Sequence, residues 1–295
     1  MKKAIYFMLA AALFMPVACQ KPSNNDNPKT DDVVMADPAT KQAAKVVEFK
    51  DAPALIIKKN GNSEEKIVKK VEFTESNRAI VHATPVLAAK ADEIEEILIF
   101  SYTVNGSTYT ISGVGTFTVS SNTVDIKAEG GETVTVSAQV TNTSTSNSTT
   151  SNLARNWAVA DVFISVKGGN VSAEKKFNGV DLYEIATYVN GQGVNFTEAQ
   201  LNAFKGYKVE EFIFTGSNTF VINFTQANPY YGSWTLSGNN FSYKLTYGGD
   251  DFFNGEASGT ISFPAQNKAE LKINGKIDAN GSSYTGTLEM NLSAR

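Results

Sequence analysis

The sequence predicts a mainly β protein: an N-terminal β-rich domain followed by an antiparallel up-and-down barrel that carries two short helices. Three observations predict this. Apolar and polar residues alternate along most of the second half, the period of a strand with one buried and one wet face. The alternating runs are separated by "TGSN", "LSGNN", "YGGD", "PAQNK" and "DANGS", turn chemistry so short that the strands it joins must be antiparallel. Only two segments combine helical spacing with a capping residue, one beginning at Asp181 and one at Thr197.

In chain order, Met1, Lys2 and Lys3 precede about a dozen apolar residues. A spanning helix needs about 20, so residues 1–18 read as a secretory signal peptide. Val17-Ala18 then leads into Cys19, the single cysteine of 295 residues. This stretch resembles a lipobox, with Pro16 where leucine is usual. The resemblance implies cleavage before Cys19 and acylation of its thiol and new N-terminus. That places the chain in a bacterial cell envelope, on the outer membrane, with the membrane as partner through the acyl anchor. The alternative is a plain signal peptide with an incidental or buried cysteine. A lone cysteine cannot close an intramolecular disulfide, and "QKPSNNDNPKTDD" is too polar to bury one. Several acyl chains anchor stably where one is marginal. Residues 19–44 read as a flexible tether. Asp26 comes late after the cysteine, so the periplasmic or surface face stays open.

Residues 45–140 form the N-terminal β-rich domain. Val134, Val136, Ala138 and Val140 alternate with Thr133, Thr135, Ser137 and Gln139, and Asn105-Gly106 marks a hairpin. Residues 141–152, "TNTSTSNSTTSN", hold no apolar side chain and cannot offset their ordering entropy. They read as a linker, with a long exposed hairpin loop as the alternative.

Residues 153–295 form the barrel. One strand at about 156–167 comes first. A helix follows, with Asp181 and Glu184 at its start, Leu182, Ile185, Ala186 and Val189 as its stripe, and a stop at Asn190-Gly191. Thr197 and Gln200 cap a second helix, which Gly206 ends. About seven strands complete the chain. An open meander of eight strands would leave two exposed edges, so closure into a barrel plugged at one end by the helices is expected. From "NWAVADVFISVKG" through "FIFTGSNTFVINFTQANPYYGSWTLSGNNFSYKLTYGG" to the C-terminus, the sequence resembles the lipocalin-like domains of Bacteroidetes lipoproteins. The resemblance conveys fold and location more than chemistry. A repeat is also suggested: "VEFTESNRAIV" parallels "FIFTGSNTFVI", and "GVGTFTVSSNTVDIKA" parallels "YYGSWTLSGNNFSYKL". The competing reading is that any two β-rich segments with Gly-Asn turns look alike.

Lysine and arginine number 26 against 30 acidic residues, and cleavage before Cys19 would leave a net charge of about −6. Such a chain lacks the basic stripe that phosphate contacts require, so nucleic acid is not an expected partner. His82 is the sole histidine, too little for a histidine-based metal site, and reads as structural. Asp250, Asp251 and Glu256 could serve hydrolysis or calcium, but read first as a solvated loop. Neither a metal nor a cofactor is expected, nor is catalysis. The candidate ligand-binding residues are aromatic: Tyr230, Tyr231, Trp234 and Tyr243, with Tyr247, Phe252 and Phe253 beside them. Aromatic rings with polar handles suit a small apolar or glycan ligand; alternatively they fill a small barrel, and the chain is an accessory surface protein acting through protein contacts.

Overall fold

The computed structural model describes residues 44–59, 61–86, 95–129, 131–143, 152–246, 256–279 and 282–295. The signal peptide, Cys19, the tether, most of the Ser/Thr/Asn segment, and Tyr247, Asp250, Asp251, Phe252 and Phe253 lie outside them. By contacts, one compact unit takes the described residues up to Arg155 with Thr215–Ser217, and a second takes Asn156–Phe214 and Asn218–Ala294.

In the first unit the strands are β1 (Lys45–Phe49), β2 (Ala54–Lys59), β3 (Asn62–Phe73), β4 (Arg78–Pro85), β5 (Glu96–Asn105), β6 (Thr108–Ile111), β7 (Gly115–Val119), β8 (Thr123–Ala128) and β9 (Thr133–Asn142). From β3 to β9 each strand pairs with the next, all antiparallel, and β1 closes the sheet by pairing with both β9 and β3. The result is an eight-strand barrel, with β2 attached to the outer half of β3. Its interior is apolar: Val71, Phe73, Ala79, Val81, Tyr109, Phe117 and Ile126 are all buried in one cluster. The predicted face of β9 holds for Val136 and Ala138, while Val134 is 58% exposed. Thr141 and Asn142 continue β9, paired with Val46 and Lys45.

In the second unit the order is β10 (Asn156–Gly168), β11 (Val171–Phe177), α1 (Leu182–Val189), α2 (Glu198–Ala203), β12 (Val209–Phe214), β13 (Thr219–Phe224), β14 (Tyr230–Ser237), β15 (Asn240–Thr246), β16 (Glu256–Ala265), β17 (Lys268–Ala279) and β18 (Ser282–Ala294). Seven consecutive strands, β12 to β18, form a meander closed by β10, which pairs with β18 and β12. This is the predicted antiparallel barrel, and it fits a lipocalin-like fold. Strand β11, paired with β10, was not anticipated, because "VSAEKKF" offers three buried residues among four exposed ones. Helix α1 buries the four stripe residues, and Asp181 Oδ1 accepts from the Glu184 amide. The chain does not stop at Asn190 but winds through a wider π-type turn, Asn190–Val194, before Asn195 turns left-handed at φ 59°. The Thr197–Gln200 capping box is complete.

The two barrels share one closed topology, a first strand and a seven-strand meander whose last strand returns to the first, while their side strands attach differently, β2 to the first meander strand and β11 to the first strand. The likeness reaches single residues at the first meander turn. Phe73 pairs with Ala79 around Thr74–Arg78, and Phe214 pairs with Phe220 around Thr215–Thr219. Asn77 and Asn218 both adopt left-handed φ, 59° and 66°, a conformation asparagine tolerates better than most residues. The second sequence parallel is out of place. The β7–β8 hairpin occupies the fifth and sixth positions of its meander, whereas β14–β15 occupies the third and fourth. What those hairpins share is a close approach. A Cβ on Gly115 would lie 2.3 Å from the Lys127 carbonyl oxygen, and one on Gly232 would lie 1.9 Å from that of Lys244.

The ends of each barrel differ. At one end every hairpin turn is tied to the strand beyond it. The carbonyls of Asn77, Ser107 and Asn122 accept from the amides of Tyr102, Val119 and Ala138 at 3.1, 2.9 and 3.0 Å. In the second barrel those of Asn218, Asn239 and Asn267 accept from Trp234, Ile261 and Ala294 at 2.9, 2.9 and 3.0 Å. The opposite end carries a covering element. In the first barrel β2 buries Leu55 and Ile57 there, and its Lys58 amide donates to the Gly113 carbonyl across the opening at 2.7 Å. In the second the helical insert takes that place, with Tyr207 against Phe224 and Tyr230 at ring distances of 5.3 and 5.9 Å.

Candidate functional site

Alternation along β14 and β15 directs Trp234, Phe241 and Tyr243 inward. They meet Phe214 and Phe220, which the β12–β13 pairing brings side by side. Phe214 stacks on Phe220 at 4.7 Å and meets Trp234 and Phe241 edge-on at 5.8 and 5.7 Å. Phe220 lies 5.1 Å from Tyr243. All five rings are buried. Burial pushes the Tyr243 phenol well above the ordinary tyrosine range, so it stays a neutral donor. Tyr230 is buried at the helix-covered end, 4.9 Å from Phe224, and Tyr231 is half-buried on the opposite face of β14. Four of the seven predicted aromatic residues thus lie within the described barrel. Trp234, Tyr243 and Tyr230 are buried there against other rings.

Within this lattice the Trp234 Nε1–H is buried without a hydrogen-bond acceptor. A recess of about 320 Å³ crosses β14, β15 and β16 at the same level. Its side-chain lining is set by Ser233, Thr235, Ser242, Lys244 and Ser258, all outward-facing by register. Thr235 and Ser242 already share a hydrogen bond of 2.6 Å. Trp234, Tyr243 and Ala257 complete the lining, and the hydroxyls of such a trough can hydrogen-bond a ligand at the surface.

The first barrel holds the strongest electrostatic feature, one the sequence did not reveal. His82 on β4 and Glu72 on β3 lie on the face opposite Val81 and Phe73, and both are buried. His82 Nε2 is 2.9 Å from Glu72 Oε1, and His82 Nδ1 is 2.5 Å from Glu95 Oε1. Lys70 reaches Glu72 at 2.8 Å. Burial opposes the charge on His82, but the hydrogen bonds to Glu72 and Glu95 outweigh it and raise its pKa above 6.5. Burial likewise opposes charge on Glu72, yet His82 and Lys70 hold its carboxyl well below the ordinary carboxylate range. The hydrogen bond from His82 also depresses Glu95. Only the His82 position was legible beforehand. Its partners arrive from 10 and 13 residues away, through register rather than local spacing.

A second charged group lies on the inner face of the β2–β3 hairpin. Lys66, almost fully buried, bridges Glu96 at 2.6 Å and Glu64 at 2.8 Å. Lys59 lies nearby, its pKa lowered by burial against the opposing charge of Glu96. Among the described residues no group of three or more His, Cys, Asp and Glu side chains is arranged to hold a metal ion, and no helix is long and apolar enough to cross a membrane.

No protein-family profile matches the chain, and no curated protein matches it. The solved structures that the chain matches include two at low overall agreement. One is a protein of unknown function from the DUF3598 family of Nostoc punctiforme PCC 73102, at 8% identity over 85% of this chain and 94% of that one, with a TM-score of 0.25. The other is a mutant of the vaccine antigen Transferrin Binding Protein B from Haemophilus parasuis Hp5, at 10% identity over 79% of this chain and 54% of that one, with a TM-score of 0.26. At these scores the likeness carries no argument about what this chain does. The fold rests on the strand pairing itself: two closed antiparallel barrels of eight strands, each fitting a lipocalin-like architecture.

Proposed function

We propose that the chain is a non-catalytic cell-envelope lipoprotein, of the Bacteroidetes lipocalin-like kind, tethered through acylated Cys19 and acting as an accessory surface protein. The observation that carries this reading is the ring lattice of Phe214, Phe220, Trp234, Phe241 and Tyr243. It occupies the volume where a lipocalin-like barrel would receive an apolar ligand. Recognition then belongs to outer faces and loops, where binding residues concentrate. His82 has both ring nitrogens engaged by carboxylates, which leaves no lone pair for general-base work.

The small-ligand reading survives in one form. The hydroxyl-lined recess over β14–β16 favours a glycan at the surface over an apolar guest inside. The test is to purify the chain from its native membrane and extract it for bound small molecules by mass spectrometry. The accessory reading expects acyl groups on Cys19 and no stoichiometric guest. A stoichiometric apolar guest, lost on denaturation, would overturn it; a glycan retained by wild type and lost in a Ser242→Trp variant would move the function to the recess.

A further inference from the structure

We infer that the Glu72–His82–Glu95 cluster is a pH-sensitive latch that holds β3, β4 and the start of β5 together while His82 is protonated. A neutral imidazole carries one N–H; an imidazolium carries two. His82 places a carboxylate against each nitrogen, at 2.9 and 2.5 Å, and ionised carboxylates only accept. Both contacts are satisfied only when the ring is charged. After deprotonation one nitrogen turns a lone pair toward a carboxylate, and two buried or half-buried anions face a neutral ring.

The other charges facing this site are both on β3. Lys70 of β3 contacts Glu72, and Lys70 and Lys69 both act on Glu95. One ammonium in contact with Glu72 does not replace the proton that linked the two carboxylates. His82 has its pKa raised on folding, so its contribution is fully present below about 6.5, the unfolded value, and is lost as pH rises through the folded value. Glu72 and Glu95 are depressed, so theirs is present above the ordinary carboxylate range and lost as pH falls through their folded values. The latch is tightest in mildly acidic medium and releases on the alkaline side.

Because His82 is the sole histidine, its titration can be followed without assignment by the imidazole NMR signal of the mature chain purified without a histidine tag. Amide hydrogen exchange of β4 is measured in parallel, corrected for intrinsic base catalysis and referenced to β8. The expected result is a midpoint above 6.5, with β4 protection falling at least tenfold across that midpoint while β8 stays unchanged. In His82→Gln the step disappears. Where that variant does not fold, Glu95→Gln serves instead and lowers the midpoint. A midpoint at or below 6.5, β4 protection indifferent to the titration, or a midpoint unmoved by Glu95→Gln overturns the latch.

Discussion

At the turn between β3 and β4, one hydroxyl shows how the barrels are fastened. Tyr102 Oη donates to the Thr74 carbonyl at 2.5 Å, and its ring packs edge-on to Phe73 at 5.2 Å. In the second barrel the corresponding position is Trp234, whose amide is tied to the matching turn residue, Asn218, but whose indole N–H finds no acceptor. The two sites should therefore differ in what removal of the polar atom costs. Tyr102→Phe leaves the buried Thr74 carbonyl without its donor and should cost about 1–2 kcal/mol in a denaturant melt. Trp234→Phe loses ring volume but no hydrogen bond. The ring lattice sets the other residue-scale expectation: Phe214→Ala should destabilise by about 3–5 kcal/mol, the range for emptying a buried phenylalanine site. A loss under 1 kcal/mol would mean that the ring is not a packing centre. These inward-facing residues were legible because period-two alternation marks them without knowledge of partners. His82 alternates in the same way, but nothing in "RAIVHATP" reveals that Glu72 and Glu95 flank it. Sequence shows which residues share a strand face and hides which strands share a sheet.

Among the elements, turns were read better than covers. Asn105-Gly106 does mark a hairpin, though the two-residue loop is Gly106-Ser107, with Asn105 paired to Thr108. "SGNN" and "AQNK" close their hairpins at the pairs Ser237–Asn240 and Ala265–Lys268. Glycine and asparagine announce such turns locally, because they alone accept left-handed backbone at little cost. The element over the first barrel's open end gave no such signal. "ALIIKK" reads as one more strand, and only the Lys58-to-Gly113 hydrogen bond makes it a cover. Gly113 is required there twice over. Its φ is +77°, and a Cβ would sit 2.4 Å from the Lys58 carbonyl oxygen. Gly113→Ala should therefore detach β2 locally, raising amide exchange at Lys58 and exposing Leu55 and Ile57, with β7 and β8 unaffected. If protection at Lys58 is unchanged, the crossing contact does not hold the cover.

On the scale of the whole molecule, a duplicated topology explains why the first half read only as β-rich. Its strands are short, five residues or fewer in β1, β6 and β7, and its closing pairs β1–β9 and β1–β3 join residues far apart in sequence. The seven-strand count in the second half was legible because each of those strands adjoins the next through a turn. The proposed anchor also belongs to this scale. Cys19→Ser should shift the chain from the membrane to the soluble fraction and abolish palmitate incorporation, whereas persistence on washed membranes would point to attachment by other means. The central claim is that the barrels are filled and covered, so that recognition occurs on their outer surfaces. Titration of the folded chain with the apolar fluorescent probe 1-anilinonaphthalene-8-sulfonate, read alongside a Phe214→Ala variant, tests it most directly. The account predicts no saturable binding by the wild type and the appearance of a site when the ring is removed. Saturable one-to-one binding by the wild type would contradict it.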